Sequence, residues 1–98
     1  MKKHIDSEKD IEQRLADLVK LNGGLCLKLL SDHINGLPDR LCLFPGKKIY
    51  FVELKTTGQK PRKLQIFMHS VLERLGFDVV VLDSIERVNN FVNDVMTL

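Results

Sequence analysis

The stretch Gly36–Lys55, GLPDRLCLFPGKKIYFVELK, decides how this chain folds. Two apolar runs flank Pro45-Gly46-Lys47-Lys48, whose residue types are typical of a tight turn. The first run predicts a strand from Asp39 to Phe44, and the second predicts a strand from Ile49 to Lys55. Because the connection is short, the two strands are expected to pair antiparallel as a hairpin.

This hairpin carries two carboxylates and a lysine at one end. Asp39 begins the first strand, while Glu53 and Lys55 end the second. In one register Asp39 lies directly opposite Glu53 and projects to the same face. In the register shifted by one residue it faces Leu54, and a bulge or local twist is needed. Lys55 shares the face of Glu53, because side chains alternate along a strand. In either register we expect the three groups within a few ångströms of each other.

Apolar residues at helical spacing predict three helices around these strands. Each set forms a stripe that faces the core. The stripes are Ile11, Leu15, Leu18 and Val19; Leu64, Phe67, Met68, Val71, Leu72 and Leu75; and Ile85, Val88, Val92 and Val95. The first helix is expected from Asp6 or Ser7 to about Leu21. The second is expected from Pro61, as the first helical residue, to about Leu75. Asp83 and Glu86 suggest a capping box for the third.

Two further apolar runs, Leu25–Leu30 and Phe77–Leu82, are interpreted as strands. The second follows a strand and a helix through short loops, which predicts a parallel crossover. The predicted fold is therefore α/β, a single domain over residues 1–98 with a mixed sheet flanked by helices. Its element order is α-β-β-β-α-β-α.

Composition limits the classes of function. The 98 residues are 44% hydrophobic and carry a net charge of +2, which permits a polyanionic partner without requiring one. Tryptophan is absent, which argues against binding through many stacked bases. Cys26 and Cys42 lie in apolar runs without metal-site spacing and indicate buried thiols in a reducing compartment. No apolar run is long enough to span a bilayer and no signal sequence is evident, so we expect a cytoplasmic protein with no membrane partner.

The acidic residues suit divalent-metal chemistry on a phosphodiester. Mg²⁺ prefers oxygen ligands and keeps several waters, so two or three protein oxygens suffice. Asp39 and Glu53 are the predicted ligands, with the backbone carbonyl of Leu54 as a third donor. Lys55 is predicted to orient water or to counter phosphate charge. Glu12, at the border of its helix stripe, is predicted to add an outer ligand through water. The alternatives are an ion pair between Glu53 and Lys55 and a solvated Glu12.

These motifs resemble the PD-(D/E)xK nuclease superfamily, and in particular the small stand-alone members of the VRR-NUC family. The likeness covers the chain from Glu8 to about Phe91. It rests on Gly23-Gly24 before Lys28, the run Gly36-Leu37-Pro38-Asp39-Arg40-Leu41, Pro45-Gly46, Phe51-Val52-Glu53-Leu54-Lys55, Gln65, and Leu75-Gly76-Phe77. The resemblance implies a restriction-endonuclease-like fold and a Mg²⁺- or Mn²⁺-dependent endonuclease, acting as a dimer on four-way (Holliday) DNA junctions.

Carried onto this sequence, the resemblance implies a set of catalytic residues. They are Asp39, Glu53, Lys55, Glu12 and Gln65. The basic residues expected to contact DNA phosphates are Lys28, Arg40, Lys60, Arg62 and Lys63, although a solvated basic loop is an alternative. His69 follows Gln65 by one helical turn, so a place near the site is an alternative, but it is interpreted as a surface histidine. Ile66, together with Tyr50 or Phe91, is interpreted as a possible seed of a dimer interface.

Three hypotheses for function follow from the sequence. The first is a metal-dependent, structure-selective DNA endonuclease. The second is a nuclease-fold DNA-binding module without catalytic activity, against which the intact acidic residues argue. The third is a small structural or regulatory protein in which Glu53 and Lys55 only form an ion pair.

Overall fold

The computed structural model describes residues 4–98; residues 1–3 of the predicted domain lie outside this range. Three helices and four strands follow in the predicted order. They are α1 (Glu8–Leu21), β1 (Leu25–Lys28), β2 (Arg40–Phe44), β3 (Lys48–Leu54), α2 (Lys63–Arg74), β4 (Asp78–Leu82) and α3 (Ile85–Met96). The α/β fold class is confirmed.

The four strands form one mixed sheet in the order β1-β2-β3-β4. Strands β1, β2 and β3 pair antiparallel, and β3 pairs parallel with β4 through the predicted crossover. Strand β1 is two residues shorter than predicted. The Leu29 N–H nevertheless donates to the Asp39 carbonyl at 2.9 Å, so the backbone stays paired up to Asp39.

Helices α1 and α3 cover one face of the sheet and form the hydrophobic core with it. The predicted stripes of both helices are confirmed. Their fully buried members are Ile11, Leu15, Val19, Val88, Val92 and Val95. Alternate residues of the strands, including Cys42, Val52 and Leu54, pack against them. Tyr50 and Phe91 lie in this layer, with ring centroids 5.2 Å apart and edge to face.

Helix α2 packs on β4 in a different orientation from the one predicted, and of its predicted core stripe only Leu72 is buried. Leu64, Phe67 and Leu75 are mostly exposed, and the buried residues are Gln65, His69 and Leu72. The physical reason is Glu53, whose carboxylate is buried between the sheet and α2 and needs polar neighbours. The helix also begins later than predicted, because Arg62 is its N-cap and Pro61 precedes it.

The start of α3 corrects the predicted capping box. Ser84 is the N-cap, and its hydroxyl accepts from the Arg87 N–H at 3.0 Å. The buried Asp6 carboxylate accepts from the Ile85 N–H at 2.8 Å, and this hydrogen bond holds the pKa of Asp6 below its ordinary value. The Asp6 N–H also donates to the Thr57 hydroxyl at 2.9 Å, and the Thr57 N–H donates to the Asp6 carbonyl at 3.2 Å. Asp6 therefore fixes the loop after β3 to the start of α3.

Within residues 4–98, no helix has the length and apolar character required to cross a membrane.

Gly36 permits the close approach of the loop before β2 to helix α2. Its φ of +82° lies in the left-handed region, and a Cβ at this position would lie 2.4 Å from the Leu64 carbonyl oxygen. The loop leads directly to Pro38, which is buried, and Asp39. Gly36 therefore helps to position the first carboxylate of the hairpin.

We expect Gly36→Ala to destabilise the protein more than Gly58→Ala. Both glycines have positive φ, so both substitutions carry the left-handed strain of about 1–2 kcal/mol. Only Gly36→Ala adds a steric clash, because a Cβ on Gly58 would have no atom within 4 Å. Urea denaturation followed by circular dichroism measures both free energies of unfolding. Equal losses would contradict the packing role of Gly36.

Candidate active site

The structure adopts the register that places Asp39 beside Glu53. Arg40 pairs with Val52 across the hairpin, so the preceding residue, Asp39, lies next to Glu53. The Asp39 Oδ2 accepts a hydrogen bond from the Leu54 N–H at 2.7 Å. The carboxylate is thereby fixed to the backbone of β3. The predicted role of the Leu54 carbonyl stays a prediction.

Glu53 is the centre of the site. Its side chain is 1% exposed and points to the face of the sheet opposite α1 and α3, because the neighbouring Val52 and Leu54 point into the core. The Lys55 Nζ lies 3.5 Å from Glu53 Oε2, as expected for residues two apart on a strand. The predicted cluster of Asp39, Glu53 and Lys55 is therefore present as one constellation.

Gln65 connects Glu53 to the beginning of α2. Its Nε2 donates to Glu53 Oε2 at 3.0 Å, while its Oε1 accepts from the Arg62 N–H at 2.7 Å. The amide is therefore bound at both ends, and this fixes its orientation. The resemblance implied a residue near the site at this position, and the structure places Gln65 directly on the carboxylate.

Burial raises the pKa of Glu53 to about 7 from its ordinary value of 4.5. The nearby Asp39 carboxylate raises the pKa further, and the Lys55 ammonium opposes both effects. A carboxylate kept in such surroundings is expected to bind a cation well, because a positive charge removes the penalty of ionisation.

His69 is buried, so its interpretation as a surface histidine is wrong. Only 7% of the residue is exposed, and its Nε2 lies 3.6 Å from Glu53 Oε1. Neither of these two atoms has a hydrogen-bond partner, although both are buried. Burial holds the pKa of His69 below its ordinary value. The sequence did contain a signal, because His69 follows Gln65 by four residues and thus lies on the same side of a helix.

Glu12 of α1 forms an ion pair with Arg40, the first residue of β2. The Arg40 Nε donates to Glu12 Oε2 at 3.2 Å, and its Nη1 donates to the Cys26 carbonyl at 3.2 Å. Arg40 lies directly opposite Val52 in the β2–β3 pair. Its side chain therefore projects from the same face of the sheet as Val52, which is the face covered by α1. The predicted roles of Glu12 in metal binding and of Arg40 in DNA binding stay predictions.

The other four predicted DNA-binding residues have exposed side chains. Lys28 ends β1 opposite Arg40. Lys60 lies in the loop after β3, and Arg62 and Lys63 begin α2. Arg62 and Lys63 also line a cavity next to Gln65. Arg62 and Lys63 therefore place positive charge close to Gln65, which contacts the Glu53 carboxylate.

Similarity to known proteins identifies the family. No family model matches the chain. The "Putative nuclease p44" of Acyrthosiphon pisum secondary endosymbiont phage 1 is 44% identical over 77 residues, which span 79% of this chain and 83% of that protein. A solved structure described as a VRR_NUC domain has a TM-score of 0.83 and 27% identity, over 90% of this chain and 97% of that one. The chain belongs to the VRR-NUC family.

The VRR-NUC site has the donors that a divalent cation needs, although residues 4–98 contain no group of three or more His, Cys, Asp and Glu side chains arranged for a metal. Asp39 and Glu53 supply two carboxylates, which suffice for an ion that keeps its waters. The buried Glu53 Oε1 accepts no hydrogen bond, so its lone pairs are available to a cation. The site is therefore chemically compatible with Mg²⁺ or Mn²⁺.

The raised pKa of Glu53 predicts the pH dependence of stability in the metal-free protein. Between pH 4.5 and about 7 the folded protein keeps a proton on Glu53 that the unfolded chain has released. This stabilisation is fully present below pH 4.5 and is lost as the pH rises through about 7. We expect a decrease on the order of 1–3 kcal/mol, measured by urea denaturation in EDTA at several pH values.

Glu53→Gln is the matched control, because the amide keeps the shape of the side chain and does not titrate. Its free energy of unfolding should change less over the same pH range, since all other groups are unchanged. Identical pH profiles for the two proteins would contradict a raised pKa of Glu53 in the folded state.

Proposed function

We propose that this VRR-NUC chain is a Mg²⁺- or Mn²⁺-dependent endodeoxyribonuclease that hydrolyses phosphodiester bonds in branched DNA, including four-way junctions. The observation that supports it best is the cluster of Asp39, Glu53 and Lys55. Within this cluster Glu53 is buried and accepts a hydrogen bond from Gln65. A purely structural ion pair has no need of a second carboxylate beside it. Such an enzyme would act in the cytoplasm of a bacterial or phage-infected cell, where its substrate is found.

In this proposal, Asp39 and Glu53 would hold the cation, with the Leu54 carbonyl as a third donor. A bound divalent ion supplies an activated water and neutralises charge on the phosphate. The Leu54 N–H keeps Asp39 from rotating, because it binds Oδ2 at 2.7 Å. Gln65 keeps Glu53 from rotating in the same way. The protein thus supplies a pair of oxygens whose positions are set before the substrate arrives.

Lys55 is suited to act on the reacting groups. Its Nζ lies 3.5 Å from Glu53 Oε2, and its side chain is only 14% exposed, so its charge is weakly screened. In this position it can orient the attacking water and stabilise the negative charge that develops on the phosphate. Glu12, held by Arg40 on the α1 side, would add an outer ligand through water.

The basic residues around the site suit the DNA backbone. Lys60, Arg62 and Lys63 are exposed at the loop after β3 and the beginning of α2. Contacts of this kind bind phosphates without reading bases, which suits an enzyme that selects DNA by its shape. The affinity should fall steeply as the salt concentration rises.

A homodimer would present two sites to the two symmetric strands of a junction. Tyr50 and Phe91 do not contribute to such an interface with Ile66, because they pack against the core on the other face of the sheet. The better candidate is the apolar flank of α2, which consists of Leu64, Phe67, Val71 and Leu75. Three of its four residues are at least 60% exposed, and an exposed apolar surface of this kind is typical of an interaction site.

We expect purified protein to cleave four-way junctions in the presence of Mg²⁺ or Mn²⁺ and to be inactive in EDTA. Asp39→Ala, Glu53→Ala and Lys55→Ala should each reduce cleavage by at least about 100-fold, because each removes a charge from the reacting centre. Gel assays with four-way, flap, splayed and linear DNA measure this. Circular dichroism establishes that each variant is folded.

Lys47→Ala is the charge control, since Lys47 lies in the turn at the other end of the hairpin. It should retain full activity. Activity in EDTA would rule out the metal-dependent mechanism. Junction binding without cleavage under any divalent metal would favour the alternative, a nuclease-fold binding module without catalytic activity.

We expect Phe67→Asp to convert a dimer into a monomer, because it places a charge in the apolar flank of α2. The wild-type protein should have twice the 11.3 kDa mass of the chain in light scattering after gel filtration. Ile66→Asp is the matched control, because this neighbouring residue is equally exposed but points away from the flank. A wild-type monomer, or equal disruption by both variants, would contradict this interface.

A further inference from the structure

Two buried polar atoms at the site lack the partners that such atoms normally have. Glu53 Oε1 and His69 Nε2 make no hydrogen bond, and each has almost no exposed surface. They lie 3.6 Å apart, which is too far for a hydrogen bond but within the range of an ion pair. Unsatisfied buried polar atoms are rare, because each has lost its hydration without gaining a hydrogen-bond partner. Because the two atoms lie close together, a hydrogen bond between them would satisfy both.

Helix α2 presents two polar side chains to the same carboxylate. Gln65 and His69 are four residues apart and therefore lie one above the other on the helix. Gln65 already donates to Glu53 Oε2 at 3.0 Å. His69 faces the other oxygen, Oε1. The two positions would together hold both oxygens of Glu53.

We propose that His69 is a positioning residue that donates its Nε2–H to Glu53 Oε1, so that α2 fixes the plane of this carboxylate for the bound cation. The inference rests on the proposed function, because it assumes that Glu53 is a metal ligand. Each carboxylate oxygen has two lone pairs, so one hydrogen bond leaves room for a cation. A movement of about 0.7 Å brings the pair to ordinary hydrogen-bond distance.

The surroundings favour a donor at Nε2. A neutral histidine has a single N–H, and opposite an ionised Glu53 the other tautomer would direct two lone pairs at each other in a buried site. Burial favours neutral His69, and the nearby charges of Lys55, Asp39 and Glu73 partly cancel. Hydrogen bonds at active sites are often long before the site is loaded and shorten afterwards. Partners of metal ligands usually set the orientation of the ligand in this way.

Metal affinity tests the proposal without reference to cleavage. Titration calorimetry with Mg²⁺ and Mn²⁺ should give a dissociation constant about 10-fold larger for His69→Leu than for the wild-type protein. Leucine keeps the bulk of the side chain but has no hydrogen-bond donor. His69→Gln should recover most of the affinity, because its amide nitrogen takes the place of Nε2. His33→Leu, an exposed loop histidine, is the control and should bind as the wild-type protein does. Unchanged affinity in His69→Leu, or no recovery in His69→Gln, would overturn the proposal.

Nitrogen NMR of the wild-type protein supplies a readout that does not depend on any variant. The proposal requires the Nε2–H tautomer of His69 in the metal-free protein at a pH above the Glu53 pKa of about 7, where Glu53 is ionised, and a shift of that proton when a divalent ion binds. The Nδ1–H tautomer would overturn it, as would electron-spin evidence that His69 nitrogen is bonded directly to Mn²⁺. If the wild-type protein binds no divalent ion, the proposed function fails, while the tautomer still decides whether His69 donates to Glu53.

Discussion

The burial of the Glu53 carboxylate is the constraint on which the rest of the site depends. An ionised group in such a place is costly unless its oxygens are bound, so the elements around it must supply donors or positive charge. Lys55 and Gln65 meet this demand at Oε2. The backbone of β3 fixes the second carboxylate, Asp39, at its side. An ionised carboxylate buried here without a partner would destabilise the folded protein. A cation bound to the carboxylate would offset this cost.

The orientation of α2 follows from this constraint. A helix with a strong apolar stripe would ordinarily turn that stripe to the sheet. Here Gln65 and His69 face the sheet beside Leu72, and much of the apolar stripe becomes an exposed flank. One arrangement thus satisfies a buried charge and leaves an apolar surface available for another protein. In the proposed homodimer, the same helix would contact both the Glu53 carboxylate and the partner subunit.

Other contacts hold the edges of the site in place. Asp6, before α1, binds Thr57 after β3 and the first N–H of α3. This contact ties the loop after Lys55 to the opposite end of the chain. On the other side, Gly36 lets the loop before Asp39 lie against the carbonyl of Leu64. Both segments of the candidate site are therefore anchored by residues that lie outside the site.

The sequence by itself determined the element order, the hairpin, and the grouping of Asp39, Glu53 and Lys55. These follow from local rules, namely alternation along strands, turn composition and helical periodicity, which need no knowledge of the partner elements. Only the tertiary structure decided which side of α2 is buried and that His69 and Asp6 are internal. Periodicity ranks residues by hydrophobicity alone, whereas the fold must also satisfy each buried charge. The buried Glu53 therefore reversed an assignment that the apolar pattern of α2 had favoured.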